Sequence, residues 1–415
     1  MRSGGTPRHV PVLAGSQALG GVAVAAGIAV NGLLARQLSG SDALSGAAQT
    51  ASVLGAAVAA VPLAALAAAR GRRPALVTGL LVGASGALTS VVAAVLGSFV
   101  LLLAGAALFG GGVAAGLQGR YAAIDGVPAA HRGRALSLVV WATTIGSVAG
   151  PNLGAPGAAV ARSAGLPGLA GPFVFSVAAF LGAAVLVWAF LRPDPLRPDL
   201  RGGARVGPSG PAGARSHRLR TALAAVAGAP LARLGLVTVG TAHAVMVAVM
   251  VMTPVHLQDG GAGLGVVGYV ISAHITGMYA VSPVFGALSD RLGRVVVIRF
   301  GLVALAAATL LAGTAGGRDH IRLGAALAVL GLGWSACVVA GSTLLSESVP
   351  DTARTSVQGL SDLVMGLAAA AAGALSGPVL GASGYSVLNA LAAALLVPVA
   401  LLVVAPPRRP VAAGP

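Results

Sequence analysis

Charged residues cut the chain into long apolar stretches. Between successive Asp, Glu and Arg positions run uncharged gaps at 9–35, 43–69, 135–161, 163–191, 234–258, 260–289, 300–317 and 323–346. Each is long enough for one membrane helix, which needs roughly 20 mostly apolar residues. Two longer gaps, 74–119 and 363–407, hold two helices each, with interior breaks expected at Gly97-Ser98 and at Gly381-Ala382-Ser383-Gly384. Eight single gaps and two double ones predict an all-α membrane protein with twelve spans, numbered 1 to 12 in chain order.

Composition agrees with that pattern and removes other classes. Of 415 residues, 56% are hydrophobic and 9% charged. So little charge cannot keep a chain of this size in water, and disorder needs the opposite balance. The net charge is +16, and all 26 basic residues are arginines. They sit in short clusters between apolar runs, without interleaved aromatics, so they read as topology signals and not as a nucleic-acid surface. With the N-terminus placed in the cytoplasm, 22 arginines fall in inside segments and four (Arg36, Arg162, Arg318, Arg322) outside. Both termini are then cytoplasmic, in a multi-pass protein of the inner or plasma membrane. The apolar run to Leu34 exceeds a signal-peptide core and reads as an uncleaved first helix. Cys337 is the only cysteine, so neither a disulfide nor a cysteine metal site is expected.

Residues 192–222, rich in Arg, Pro and Gly, form the one long polar segment. It reads as a flexible basic cytoplasmic linker between a six-helix half at 1–191 and a second at 223–415, with some attraction for anionic lipid. The halves repeat. Asp125-Gly-Val-Pro-Ala-Ala-His-Arg132 matches Glu347-Ser-Val-Pro-Asp-Thr-Ala-Arg354 at an offset of 222, and Gly71-Arg72 matches Gly293-Arg294 at the same offset. Six spans per repeat give both halves one orientation, the parallel repeat of two-domain secondary transporters.

Gly286-Ala-Leu-Ser-Asp290-Arg291-Leu-Gly293-Arg294, after span 8, resembles the G-x-x-x-D-R-x-G-R signature of the major facilitator superfamily. The first-half copy is degenerate, with Ala64 and Ala68 where that motif has glycine and aspartate. In span 5, Gly146-Ser-Val-Ala-Gly150-Pro151-Asn-Leu-Gly154 resembles the G-x-x-x-G-P-x-x-G motif of drug–proton antiporters in the superfamily. Close helix packing by small residues with a proline bend explains the same pattern equally well. Together with twelve spans and the central linker, the likeness covers essentially the whole chain.

Arg72 and Asp125 are 53 residues apart, as are Arg294 and Glu347. These are expected to be repeat-equivalent ion pairs, formed when the cytoplasmic face is closed and broken when it opens. Asp290 adds a carboxylate for Arg294, for Arg354 or for a helix N-terminus. The competing reading is topogenic charge without a gating role.

Ionisable groups at membrane depth are costly and so are candidates for function. His243 lies mid-span in span 7, His274 mid-span in span 8, and Asp362 near the start of span 11, with Arg120 near the inner end of span 4. Either histidine suits proton exchange near neutral pH, or simply bonds a backbone carbonyl. Asp362 serves proton transfer or the loop cluster; Arg120 serves a site or snorkels to the interface. Gln17 and Asn31 share nearly one face of span 1. His243, Met246 and Met250 share one face of span 7 by i, i+3, i+7 spacing.

The superfamily resemblance implies that spans 1, 4, 7 and 10 line a central cavity. Gln17, Asn31, His243, Met246, Met250, Trp334 and Ser335 then become lining candidates, although ordinary packing also accounts for the methionines. No Asp or Glu lies mid-span in the first half, where many antiporters of the superfamily carry one.

The expected function is secondary active transport by alternating access, with proton-coupled export of small hydrophobic or amphipathic compounds favoured. The alternatives are metabolite uptake by symport or uniport, and a membrane sensor that does not transport. No HExxH, paired-aspartate or GxxxxGK[ST] motif points to an enzyme or an ATP-driven pump. The expected partners are a small-molecule substrate, protons and the lipid bilayer, with no nucleic acid, cofactor or metal, and a monomeric state.

Overall fold

The computed structural model describes residues 9–125, 129–195 and 212–404, apart from some side chains within those ranges, including those of Arg120 and Arg354. Every described element is helical. Single helices form span 1 (His9–Ser39), span 2 (Ala47–Arg70), span 3 (Arg72–Leu96) and span 4 (Phe99–Ile124). Single helices also form span 6 (Gly171–Phe190), span 7 (Pro230–Asp259), span 9 (Arg294–Gly313) and span 10 (His320–Glu347). Spans 11 and 12 lie within Asp351–Ala394, bent at Gly384, and Val397–Val404 completes span 12.

Two spans are less regular than their uncharged gaps suggest. Span 5 runs Ala129–Ala149, tightens to a 3₁₀ turn at Gly150–Leu153, and resumes at Gly154–Ser163. Span 8 is Leu264–Tyr279 followed by Ser282–Leu292. Pro151 and Pro283 explain both breaks: each lacks an N–H and clashes with the preceding turn, which a count of charges does not register. Ten stretches among the described residues are long and apolar enough to cross a membrane, and the last of them, Ser356–Val403, holds two spans. With the broken span 5, that makes twelve.

The expected interior breaks fall at residues that need left-handed backbone. Gly97 ends span 3 at φ 68°, and Ser98 caps span 4 by accepting from Leu101 N at 3.3 Å. Gly384, at φ 80°, separates spans 11 and 12.

By internal packing the chain divides into two units, Met1–Pro208 with Leu257–Ser272, and Ser209–His256 with Ala273–Pro415. In lipid no hydrophobic drive brings helices together, so small residues that allow close backbone approach do much of the work. A Cβ on Gly55 of span 2 would stand 1.9 Å from Ala107 O of span 4, and one on Gly146 of span 5 would stand 1.9 Å from Ala18 O of span 1. Between these contacts Phe109 meets Phe173 and Phe180 edge-to-face, with centroids 6.3 and 5.3 Å apart.

In the second unit the helix Ala212–Gly228 begins inside the stretch read from sequence as flexible linker. Past the Gly- and Pro-rich part, ARSHRLRTALAAVAG is made mostly of good helix formers. Its Ala222 and Val226 bury against Leu345, Val349, Val357 and Leu360 at the adjoining ends of spans 10 and 11.

Candidate functional site

The loop arginines engage the carboxylates that the repeat assigned to them. Gly71, at φ 99°, and Gly293, at φ 91°, turn the chain into spans 3 and 9 in a conformation that favours glycine. The next residue in each case is the arginine. Arg72 Nε lies 2.8 Å from Asp125 Oδ2, and Arg72 Nη1 donates to Gln118 Oε1 at 2.9 Å. In the second half Arg294 grips Glu347 with two bonds, Nη2–Oε1 at 2.8 Å and Nε–Oε2 at 3.3 Å. Arg294 also binds Asp290 at 2.9 Å and donates to Ser289 O. Gly286 has open space where a Cβ would be, and Arg291 is exposed. The side chain of Arg354 lies outside the described residues.

Within the spans, the lining candidates separate into groups with different partners. Gln17 is buried and donates Nε2–H to Gly116 O at 2.9 Å, tying span 1 to span 4. Gly116 and Gly119 face it, and a Cβ on Gly119 would stand 3.1 Å from Gln17 Oε1. Asn31 is buried farther along span 1. The side chain of Arg120 is not among those described. Asp362 lies on an exposed face of span 11, eleven residues past the helix start at Asp351.

The two histidines are held in opposite ways. His274 is wholly buried, and one ring nitrogen, Nδ1, lies 2.9 Å from Leu327 O of span 10. A carbonyl only accepts, so Nδ1 carries the proton, and Nε2 is left buried with no hydrogen-bond partner among the described residues. His243 instead accepts. Trp334 Nε1, which can only donate, lies 3.0 Å from His243 Nδ1. Neutral His243 therefore carries its proton on Nε2, as a donor. Tyr279 stands edge-to-face against Trp334, with centroids 6.0 Å apart. Met246 is buried and Met250 half-buried on the His243 face of span 7, while Ser335, next to Trp334, is buried with its hydroxyl unpaired among the described residues.

The glycines of the span 5 motif pack against spans 1 and 8. Gly146 and Gly150 face Ala18, Val22 and Ala25 of span 1; Pro151 O would lie 2.4 Å from a Cβ on Gly268; Gly154 faces Leu264. Beside them Asn152 Nδ2 donates to Ser272 Oγ at 2.7 Å, and Ser272 donates to Val148 O at 2.8 Å.

Three clusters carried no sequence signal. Arg36 Nε lies 2.6 Å from Asp42, and its Nη1 pairs with Asp259. His256 stacks on Tyr385 at 4.1 Å and hydrogen-bonds to Ala315 O at 3.2 Å, while the Tyr385 hydroxyl meets Thr253 Oγ1 at 2.8 Å. Asp194 binds the first amides of span 3. Each cluster is closed by partners far apart in the chain, Arg36 with Asp259, His256 with Tyr385 and Arg72 with Asp194, and only Tyr385, directly after the Gly384 break, had a local cue. Among the described residues no group of His, Cys, Asp and Glu is arranged to hold a metal ion.

The superfamily likeness expected from the loop motif is matched by direct comparison. The Major Facilitator Superfamily model matches residues 12–263 and 234–415. YdeG, an uncharacterized MFS-type transporter of Bacillus subtilis, is 37% identical, covering 94% of this chain and 91% of its own. The riboflavin transporter RfnT of Brucella anthropi is 27% identical over 96% of this chain and 94% of its own. The fold is similar to that of a bacterial homologue of the human lysosomal transporter Spinster, solved inward-facing and unoccupied, at a TM-score of 0.69 and 16% identity over 98% and 100% of the two chains. With its all-helical twelve-span fold and its paired loop motifs, the chain belongs to the Major Facilitator Superfamily of membrane transporters.

Proposed function

We propose that this transporter works by alternating access and exports small, moderately hydrophobic or amphipathic compounds that carry a planar ring, in exchange for protons. One observation carries the reading: the His243–Trp334–Tyr279 cluster, with Met246 and Met250 on the same face of span 7 as His243. Aromatic rings and polarizable thioethers hold flat apolar ligands, and a few placed donors orient them. The Nε2–H of His243 is such a donor.

The same cluster supplies a route to proton coupling. A second proton can enter the His243 ring only at Nδ1, the atom that accepts from Trp334. Protonation therefore requires Trp334 to release His243 and reorient. A ligand stacked on Trp334 and a proton on Nδ1 each select a different arrangement of one pair, which is the differential interaction exchange requires. The arginine distribution favours cytoplasmic termini, with the Arg72–Asp125 and Arg294–Glu347 pairs clasping the cytoplasmic face when it is closed. A monomer suffices for this cycle. A swap of Arg294 and Glu347 that restores the transport lost in either single variant supports the clasp, and failure of the swap contradicts it.

Purified protein in liposomes, with a lumenal pH dye and an inside-acid gradient, tests the coupling. Planar aromatic cations, neutral heteroaromatics including riboflavin, and small non-aromatic metabolites are added in turn. Ring compounds are expected to evoke proton efflux in the wild type and not in His243→Ala. Uptake is the second reading, favoured by the likeness to RfnT. Labelled riboflavin that equilibrates with no proton movement would replace export with uniport or uptake.

A further inference from the structure

Each half brings a carboxylate to its loop turn, from a different place in the chain and through different contacts. In the second-half loop, Asp290 stands four residues before Arg294 and binds it at 2.9 Å. The repeat-equivalent of Asp290 in the first half is Ala68. The first-half loop nonetheless makes the same turn, at Gly71, and directs Arg72 onto Asp125.

A carboxylate does reach that turn, from 122 residues away. Asp194 lies just past the end of span 6, at the start of the central linker. Its Oδ1 accepts from Arg72 N at 3.0 Å and its Oδ2 from Arg73 N at 2.8 Å. These are the first two amides of span 3, donors with no partner inside the helix, at the end where the helix dipole favours negative charge. The carboxylate sits so close over Gly71 that a Cβ there would lie 2.4 Å from Oδ2. Around Gly293, its repeat-equivalent, a Cβ would meet nothing within 4 Å among the described residues. Trp188 fastens the same corner, with the guanidinium carbons of Arg73 and Arg192 at 5.8 and 5.9 Å from its ring.

We infer that Asp194 is the carboxylate of the first-half gating loop, delivered by the central linker in place of the missing loop aspartate, and that it positions Arg72 for Asp125. It is a positioning residue: it binds the amides that start span 3 and acts through the arginine that follows Gly71. The start of the linker is thereby clamped to the turn between spans 2 and 3. A pull on the linker reaches the Arg72–Asp125 pair directly, whereas the second-half pair has its own carboxylate and, among the described residues, no such connection.

Amide hydrogen exchange on the full chain in nanodiscs tests the cap, comparing wild type with Asp194→Ala, Asp194→Asn and Asp194→Glu. Removing a charged acceptor from two helix-start amides is expected to speed exchange at Arg72 and Arg73 about tenfold in Asp194→Ala. Asp194→Asn should fall between, Asp194→Glu should recover most of the protection, and amides at the start of span 9 should not change. Unchanged exchange at Arg72 and Arg73 overturns the cap. Positioning is tested by melting temperatures of Asp194→Ala, Asp125→Ala and the double variant. Their effects should be smaller together than their sum, and strict additivity overturns the link to Arg72. The clamp's part in gating rests on the transport reading above. Both measurements are made without substrate, so their outcome is independent of whether that reading holds.

Discussion

Removing either member of the Arg72–Asp125 pair alone should be worse than removing both. The two side chains are 16% and 19% exposed, so a single alanine strands a largely sheltered charge. At the 2.8 Å contact the bare Coulomb attraction is about 1.5 kcal/mol at a dielectric of about 80 and about 6 kcal/mol at about 20. Desolvation and side-chain ordering cancel most of the larger figure, leaving a coupling of about 1–2 kcal/mol. Arg294–Glu347 has the better fork geometry, but Glu347 is 50% exposed and its attraction is screened, so about 0.5–1 kcal/mol is expected there. Double-mutant cycles for both pairs, from SDS titration in mixed micelles followed by tryptophan fluorescence, give the two energies directly. A first-half coupling equal to or below the second-half one would refute the argument that shelter outweighs fork geometry.

The buried hydroxyl pair of Tyr385 and Thr253 makes Tyr385→Phe a deletion of one hydrogen bond at nearly constant shape, worth about 1 kcal/mol in the same titration. A shift in the titration midpoint too small to detect would argue that the bond is not formed. Gly146→Ala places a Cβ against Ala18 O and should lower the melting temperature sharply, while Gly286→Ala, which meets nothing within 4 Å, should leave it within a degree or two. Equal effects at the two glycines would contradict the packing assigned to span 5. Cys337 is wholly buried and is the only thiol, so a maleimide dye should react only as the protein unfolds. Rapid labelling of the native protein would contradict the placement of span 10.

What the sequence makes legible follows from how sharply lipid penalises charge. Asp, Glu and Arg mark the span limits almost by themselves, and the expected breaks fall on Gly97 and Gly384, where positive φ is needed. A constant repeat offset then suffices to pair Arg72 with Asp125 and Arg294 with Glu347, because equivalent loops must meet equivalent helix ends. The broken spans are visible only through Pro151 and Pro283, whose backbone effect is local and leaves hydropathy untouched. The helix from Ala212 was obscured by the Gly- and Pro-rich residues before it, which set the character of the whole segment. His243 and Trp334 were each legible as polar or aromatic groups at membrane depth. Their hydrogen bond was not, because it joins residues 91 positions apart and depends on the facing of two helices. Asp194 was the hardest to foresee: a lone aspartate in a linker carries no periodicity, and its role exists only once span 6 returns beside the start of span 3.

Counterflow in proteoliposomes separates alternating access from binding alone. Vesicles loaded with an unlabelled planar ring compound are diluted into a trace of the labelled form, with no pH gradient. A carrier that alternates its access predicts a transient overshoot of label above equilibrium, reduced by Trp334→Ala and absent from empty liposomes. Label that rises only to equilibrium, or that binds without entering, would contradict alternating access for these compounds.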